Sequence, residues 1–185
     1  MVSAMVAIVF PFRKMSTGSD QGHSQAAEQA AQAASRGSDR SLKLLVQADV
    51  AMIASAAQPT KALAAKLATL SRDADTLGLK SLSVECAVRR AETLLKLGET
   101  ASARQEADRS LANAEELGLR VPLAKAHYLR AAMLRAAGDA EARREYAAAL
   151  RLLEEIKGED GSQKVLTRSD LAPMYQECVE RSKAG

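Results

Sequence analysis

Apolar residues recur at three- and four-residue steps through most of the chain. Val84, Ala87, Val88, Ala91, Leu94 and Leu95 fall on one helical face, as do Ala124, His127, Tyr128, Ala131 and Leu134. Between them lie Ala103, Ala107, Leu111 and Ala114, and later Ala142, Tyr146, Ala149, Leu150, Leu153 and Ile156. This spacing predicts amphipathic helices, each with one buried stripe. Glycine punctuates the pattern at positions 78, 98, 118, 138 and 158, one every 20 residues. A glycine just past a helix adopts the left-handed backbone without a Cβ clash, so these positions read as helix stops. The predicted helices are about 16–18 residues long, joined by tight turns. Thr60, Thr100 and Asp139 stand where N-caps are expected, and Gln58 stands where a glycine would be.

Shifting the chain by 40 lays "ADTLGLKSLSVECAVRRAETLLKLGE" over "AEELGLRVPLAKAHYLRAAMLRAAGD". Leu77, Gly78, Leu79, Arg90, Ala91, Leu94 and Gly98 meet Leu117, Gly118, Leu119, Arg130, Ala131, Leu134 and Gly138. The repeated unit is an antiparallel helix pair of 40 residues, with an earlier copy over Ser38–Leu77. A last helix is predicted over 169–183. Ser169 or Asp170 would cap it, Pro173 is tolerated in its first turn, and its stripe is Leu171, Met174, Tyr175 and Cys178. One polar face suits the end of a stack. The expected architecture is all-α: a right-handed solenoid of about three helical hairpins over 38–185, closed by that helix. Residues 1–37 read as a flexible or partly helical segment separable from it. They comprise a short apolar run, a Ser/Gly-rich stretch and the helix-prone "QAAEQAAQAA".

Composition sharpens this picture. Hydrophobic residues make up 47% of the 185, yet aromatics only 3%, with no Trp. Much of the apolar content is alanine, so the core must come from close helix–helix contact rather than from bulky side chains. Lys and Arg number 26 against 23 Asp and Glu, a net charge of +3 with both signs interspersed. No basic stripe interleaved with aromatics occurs, which argues against a nucleic-acid surface. The N-terminal apolar run of about ten residues is too short to span a bilayer, which takes roughly 20. Its charges, Arg13 and Lys14, follow the run rather than precede it, unlike a signal peptide. No membrane insertion is expected. On this chain alone the expected location is the cytoplasm; as the tail of a membrane-anchored parent it would lie outside.

Catalytic and metal-binding signals are absent from the sequence. Cys86 and Cys178 form no CxxC pair and read as small packing residues. His23 falls in the Ser/Gly-rich stretch. His127 sits on an apolar helical face without a second ligand at metal spacing, and reads as a packed or hydrogen-bonded histidine. The pairs Glu115–Glu116 and Glu154–Glu155 read as solvated helix surface. There is no P-loop, dinucleotide fingerprint, GxSxG or kinase signature. The expectation is no enzyme, no metal and no cofactor.

The repeat pattern resembles the tetratricopeptide-like (TPR-like) helical repeats. Ala131 and Leu134 with Ala142 and Tyr146 carry the resemblance, with His127 where that family prefers Trp. Ala91 and Leu94 with Ala103 and Ala107 do so in the preceding unit. The period is 40 rather than 34, Arg90 and Arg130 stand where Leu is usual, and Gly118 and Gly158 replace the closing Pro. "ARREYAAALRLLEEIKGED" followed by "LTRSDLAPMYQECVERS" is similar to the C-terminal repeat tails of large bacterial Ser/Thr kinases and transcription regulators. The resemblance implies a protein–protein interaction scaffold that takes a peptide or helix on its concave face. The alternative it implies is a regulatory tail acting on a kinase or regulator domain of a longer parent. By helical register, the groove would be lined by Glu85, Val88, Glu92 and Lys96 in one repeat. In the next it would be lined by Lys125, Tyr128, Ala132 and Arg135. The ends of the stack are where self-association is expected.

Overall fold

The computed structural model describes residues 39–159 and 164–183. The sequence readings made on residues 1–37, including His23, lie outside the described residues. Seven α-helices follow one another among the described residues: α1 (Arg40–Ala57), α2 (Lys61–Thr76), α3 (Lys80–Lys96), α4 (Thr100–Glu116), α5 (Arg120–Ala136), α6 (Ala142–Lys157) and α7 (Ala172–Lys183). A 3₁₀ turn over Val165–Thr167 precedes α7, and no strand occurs among the described residues.

The glycines explain the short connections. Gly78, Gly98, Gly118 and Gly138 all have positive φ, between 65° and 78°. At each, the residue after the glycine donates its N–H to the carbonyl five residues back, and the glycine donates to the carbonyl three back. At Gly98 these are Glu99 to Leu94 at 3.0 Å and Gly98 to Leu95 at 3.0 Å. This pairing satisfies the carbonyls that a helix end leaves open. After Gly78 and Gly118 the closing donor is a leucine, Leu79 or Leu119, which tucks into the core beside it. Gly158 is different: its φ is −71°, so it ends α6 without the left-handed turn expected of it. Among the expected caps, Thr60 Oγ1 accepts the Leu63 N–H at 3.2 Å. Thr100 is instead the first residue of α4, after an uncapped Glu99. Asp139 accepts the Glu141 N–H at 2.9 Å in the turn that precedes α6.

Consecutive helices pack against one another along the whole series, and α1 also touches α3, and α3 touches α5. Three apolar clusters fill the interfaces. The first joins α1, α2 and the start of α3 through Leu44, Ala48, Leu67, Leu70, Leu82 and Cys86. The second joins α3, α4 and α5 through Val88, Ala91, Leu94, Ala107, Leu129 and Met133. The third joins α5, α6 and α7 through Ala131, Tyr146, Leu153, Leu171, Met174 and Cys178. Alanine dominates the buried positions, and many, such as Ala103, Ala107, Ala124 and Ala131, are completely inaccessible. Helices carrying such small residues approach closely, so contact area replaces side-chain bulk.

Arg90 and Arg130, 40 residues apart, both have acidic partners. Arg90 pairs with Glu106, an ion pair linking α3 to α4 with Glu106 nearly buried. Arg130 Nε lies 3.2 Å from Asp108 on α4, and its Nη2 lies 3.2 Å from Glu145 on α6, bridging three helices. Charged side chains at these two positions therefore tie neighbouring helices together.

Candidate functional site

The eight groove positions inferred from helical register do not share one open face. Val88 and Ala132 are 4% and 3% exposed and belong to the core between α3 and α5. Neither belongs to the surface set: α5 leans on α3 where an open face was expected. The remaining six divide into two groups.

On α3, Glu85 is exposed, and Glu92 and Lys96 are half-buried. Glu92 accepts from Arg89 at 2.6 Å and lies 3.4 Å from Lys96. Glu85 is held above the usual carboxylate range. Partial desolvation is the largest cause; Lys125 pulls it back down, Asp49 raises it further and Arg168 lowers it. Glu85 therefore lies within electrostatic reach of α1, α5 and the segment before α7. Asp49 on α1 is exposed as well, and desolvation raises its pKa. Asp49 and Glu85 are a pair of carboxylates that face solvent at the junction of α1 and α3.

On α5, the three remaining candidates are engaged by the C-terminal segment. Lys125 Nζ donates to Asp170 at 2.6 Å, and Arg168 holds the same carboxylate through two hydrogen bonds of 3.0 and 2.9 Å. Burial pushes the Asp170 carboxyl up, but the hydrogen bonds and charges of Lys125 and Arg168 outweigh it, and the pKa ends below the usual value. Asp170 reads from the sequence as an N-cap for the last helix; its carboxylate instead ties that segment to α5. The Tyr128 hydroxyl donates to Glu177 at 2.7 Å, and Tyr146 donates to the other oxygen of the same carboxylate at 3.3 Å. Arg135 donates to the Tyr146 oxygen at 3.2 Å and lies 3.5 Å from Glu177. The two tyrosine rings meet edge to face, centroids 6.0 Å apart. Burial, followed by the Glu177 charge, pushes Tyr146 up to about 12. Burial and the hydrogen bond to Glu177 raise Tyr128 as well.

Sequence reasoning misses Glu177 altogether and sees in Asp170 only a cap. Glu177 stands beside the Met174–Cys178 stripe, which signals a half-buried position. Its partners, however, lie 31 and 49 residues away in the chain. Local periodicity carries no information about such distant pairings.

The two cysteines and His127 are engaged in packing and hydrogen bonding. Cys86 and Cys178 are buried free thiols, each pushed up to about 12 mainly by desolvation, so little thiolate forms near neutrality. His127 Nδ1 lies 2.7 Å from Glu145, the hydrogen-bonded arrangement its place on an apolar face suggested. Among the described residues, no group of three His, Cys, Asp or Glu side chains is placed to hold a metal. Nor is any helix among them long and apolar enough to cross a membrane. A small cavity of about 150 Å³ is lined by Thr100, Arg104, Arg130, Met133, Leu134, Ala137 and Asp139. No family model, curated protein or solved structure matches the chain.

Proposed function

We propose that the chain is a non-enzymatic protein–protein interaction module built as a TPR-like stack: a right-handed curved array of about three helical hairpins closed at one end by α7. The observation that carries this reading is the starting points of the odd helices. α1, α3 and α5 begin at Arg40, Lys80 and Arg120, 40 residues apart; α1 touches α3 and α3 touches α5, and each also packs on its sequence neighbour. Helices in such an inner row crowd together while their partners splay outward, and a curved surface results. A rigid surface of this kind binds an extended segment or helix with little ordering cost to the scaffold.

The binding surface in this reading is the α1–α3 part of the inner row, where Asp49 and Glu85 present exposed carboxylates and Glu92 and Lys96 flank them. Lys125, Tyr128 and Arg135 are engaged by α7 and serve as the closed end. A partner segment carrying lysine or arginine complements Asp49 and Glu85. The experiment is affinity capture from the source cells with the parent chain, an Asp49→Lys/Glu85→Lys variant, and an Arg104→Glu/Arg109→Glu variant on the exposed side of α4. The first variant loses the captured partners and the second keeps them. Retention by the first variant, or equal loss from both, contradicts the assignment.

A further inference from the structure

An open cavity of about 380 Å³ lies at the closed end of the stack, where the turn between α5 and α6 meets the end of α7. Three arginines line it, one from each helix: Arg135 near the end of α5, Arg143 in the first turn of α6 and Arg181 in the last turn of α7. The buried Tyr146 and the turn residue Asp139 complete its polar lining. The site is independent of the α1–α3 surface, with which it shares no residue.

The fold gathers these guanidiniums and leaves most of their donors open. Arg135 Nη2 and Arg181 Nε address the same oxygen of Glu177, at 3.5 and 3.9 Å, too long for good hydrogen bonds. Arg135 Nε donates to the Tyr146 oxygen at 3.2 Å. Arg143 Nε donates to the carbonyl of Ser182, the residue after Arg181, at 3.1 Å, and no carboxylate pairs with Arg143 among the described residues. The nearby anions are already engaged: Glu177 accepts from Tyr128 and Tyr146, and Asp139 accepts the Glu141 N–H at 2.9 Å. Three cations thus share two anions that accept hydrogen bonds from other groups. Guanidinium forks match the oxygens of carboxylates and phosphates. A planar carboxylate meets one fork edge-on, whereas a tetrahedral phosphate monoester offers oxygens in several directions and a charge of about −2. Guanidiniums arriving from three helices suit the phosphate. We propose that this cavity binds a phosphate group, held by Arg135, Arg143 and Arg181.

The test is an NMR titration of the full-length chain with inorganic phosphate, N-acetyl-phosphoserine amide and acetate. Both phosphates shift the backbone amides of 139–146 and of Arg181 saturably, and acetate binds at least tenfold more weakly. A capped phosphoserine that binds tighter than inorganic phosphate assigns the site to a phosphorylated side chain; equal or weaker binding assigns it to the free anion. Arg143→Gln/Arg181→Gln weakens both phosphates at least tenfold, while Arg109→Gln/Arg151→Gln, at exposed positions outside the cavity, changes them less than twofold. Asp139→Asn removes a repulsive charge and keeps an acceptor for the Glu141 N–H. It tightens phosphate binding at least twofold, a gain that loss of folding cannot produce. Absence of saturable binding overturns the proposal, as do equal weakening by the two arginine pairs, acetate binding as tight as phosphate, or an Asp139→Asn chain that binds no tighter.

Discussion

Glu177 on α7 accepts from Tyr128 on α5 at 2.7 Å, across 49 residues of sequence. The same carboxylate accepts from Tyr146 at 3.3 Å and neighbours Arg135 at 3.5 Å and Arg181 at 3.9 Å. One half-buried anion therefore holds the last helix against α5 and α6. Truncating it leaves two tyrosine hydroxyls and a cationic neighbourhood without an acceptor. Glu177→Ala is expected to cost about 1–3 kcal/mol, and Glu177→Gln less, because the amide oxygen still accepts. Thermal unfolding of the two variants checks this; equal melting of Glu177→Ala and the parent would show that the apolar contacts of Leu171, Met174 and Cys178 alone hold α7.

The same network sets an alkaline limit. Tyr146 has its pKa raised to about 12 in the folded state, against 10 for the free side chain. A raised folded pKa means the protonated form is favoured by folding. The contribution is complete below about pH 10 and is lost as pH rises toward 12. Denaturant unfolding from pH 8 to 12 should show stability falling across that window, and Tyr146→Phe should flatten the fall. An unchanged slope in Tyr146→Phe would assign the loss to other groups.

Ala91 and Ala131 are 1% and 0% exposed, in the cores on either side of α5. Neither site has room for a larger side chain unless the helices move apart. Ala91→Leu and Ala131→Leu are each expected to cost about 1–3 kcal/mol by overpacking. Calorimetry on the single variants decides; parent-like melting of both would refute the close-packed interfaces.

The turn glycines differ in a way that mutation can read. Gly98 has φ +78°, and no atom lies within 4 Å of where an added Cβ would stand, so only the backbone opposes a side chain there. Gly98→Ala is expected to cost about 1–2 kcal/mol, the strain of an L-residue in the left-handed region. Gly158 has φ −71°, and Gly158→Ala should cost less. Equal destabilisation at both positions would mean that backbone handedness is not what separates them.

Arg90, half-buried, pairs with the nearly buried Glu106, and Arg90 Nε has no hydrogen-bond partner. Removing the carboxylate leaves Arg90 with water as its remaining partner, so Glu106→Leu should destabilise by about 1–3 kcal/mol, while Arg90→Leu/Glu106→Leu together are expected to be near neutral. A double-mutant cycle in urea measures the difference, and additivity of the two single changes would contradict the pairing.

The helices are legible in the sequence because their cause is local. Stripes such as Val84–Leu95 and Ala142–Ile156 depend only on the 3.6-residue period, and Gly78, Gly98, Gly118 and Gly138 mark left-handed turns on their own. Gly158 keeps the 20-residue spacing without the turn, because spacing alone cannot show that a helix ends without reversing. The surface is legible only in part. Register tells which residues of α3 and α5 lie on one side, but not that α5 buries Val88 and Ala132 against α3. Nor does it show that Asp170 and Glu177 reach Lys125, Tyr128 and Arg135. Those outcomes depend on how helices far apart in sequence meet.

The measurement that tests the interaction surface most directly is carboxyl footprinting of the captured complex. Carbodiimide-driven labelling, read by mass spectrometry, reports each carboxylate's access to solvent with and without partner. Asp49 and Glu85 should lose most of their labelling in the complex, while Glu115 and Glu116, exposed at the end of α4, keep theirs. Unchanged labelling at Asp49 and Glu85 beside protection at Glu115 and Glu116 would place the partner on another face and contradict the account.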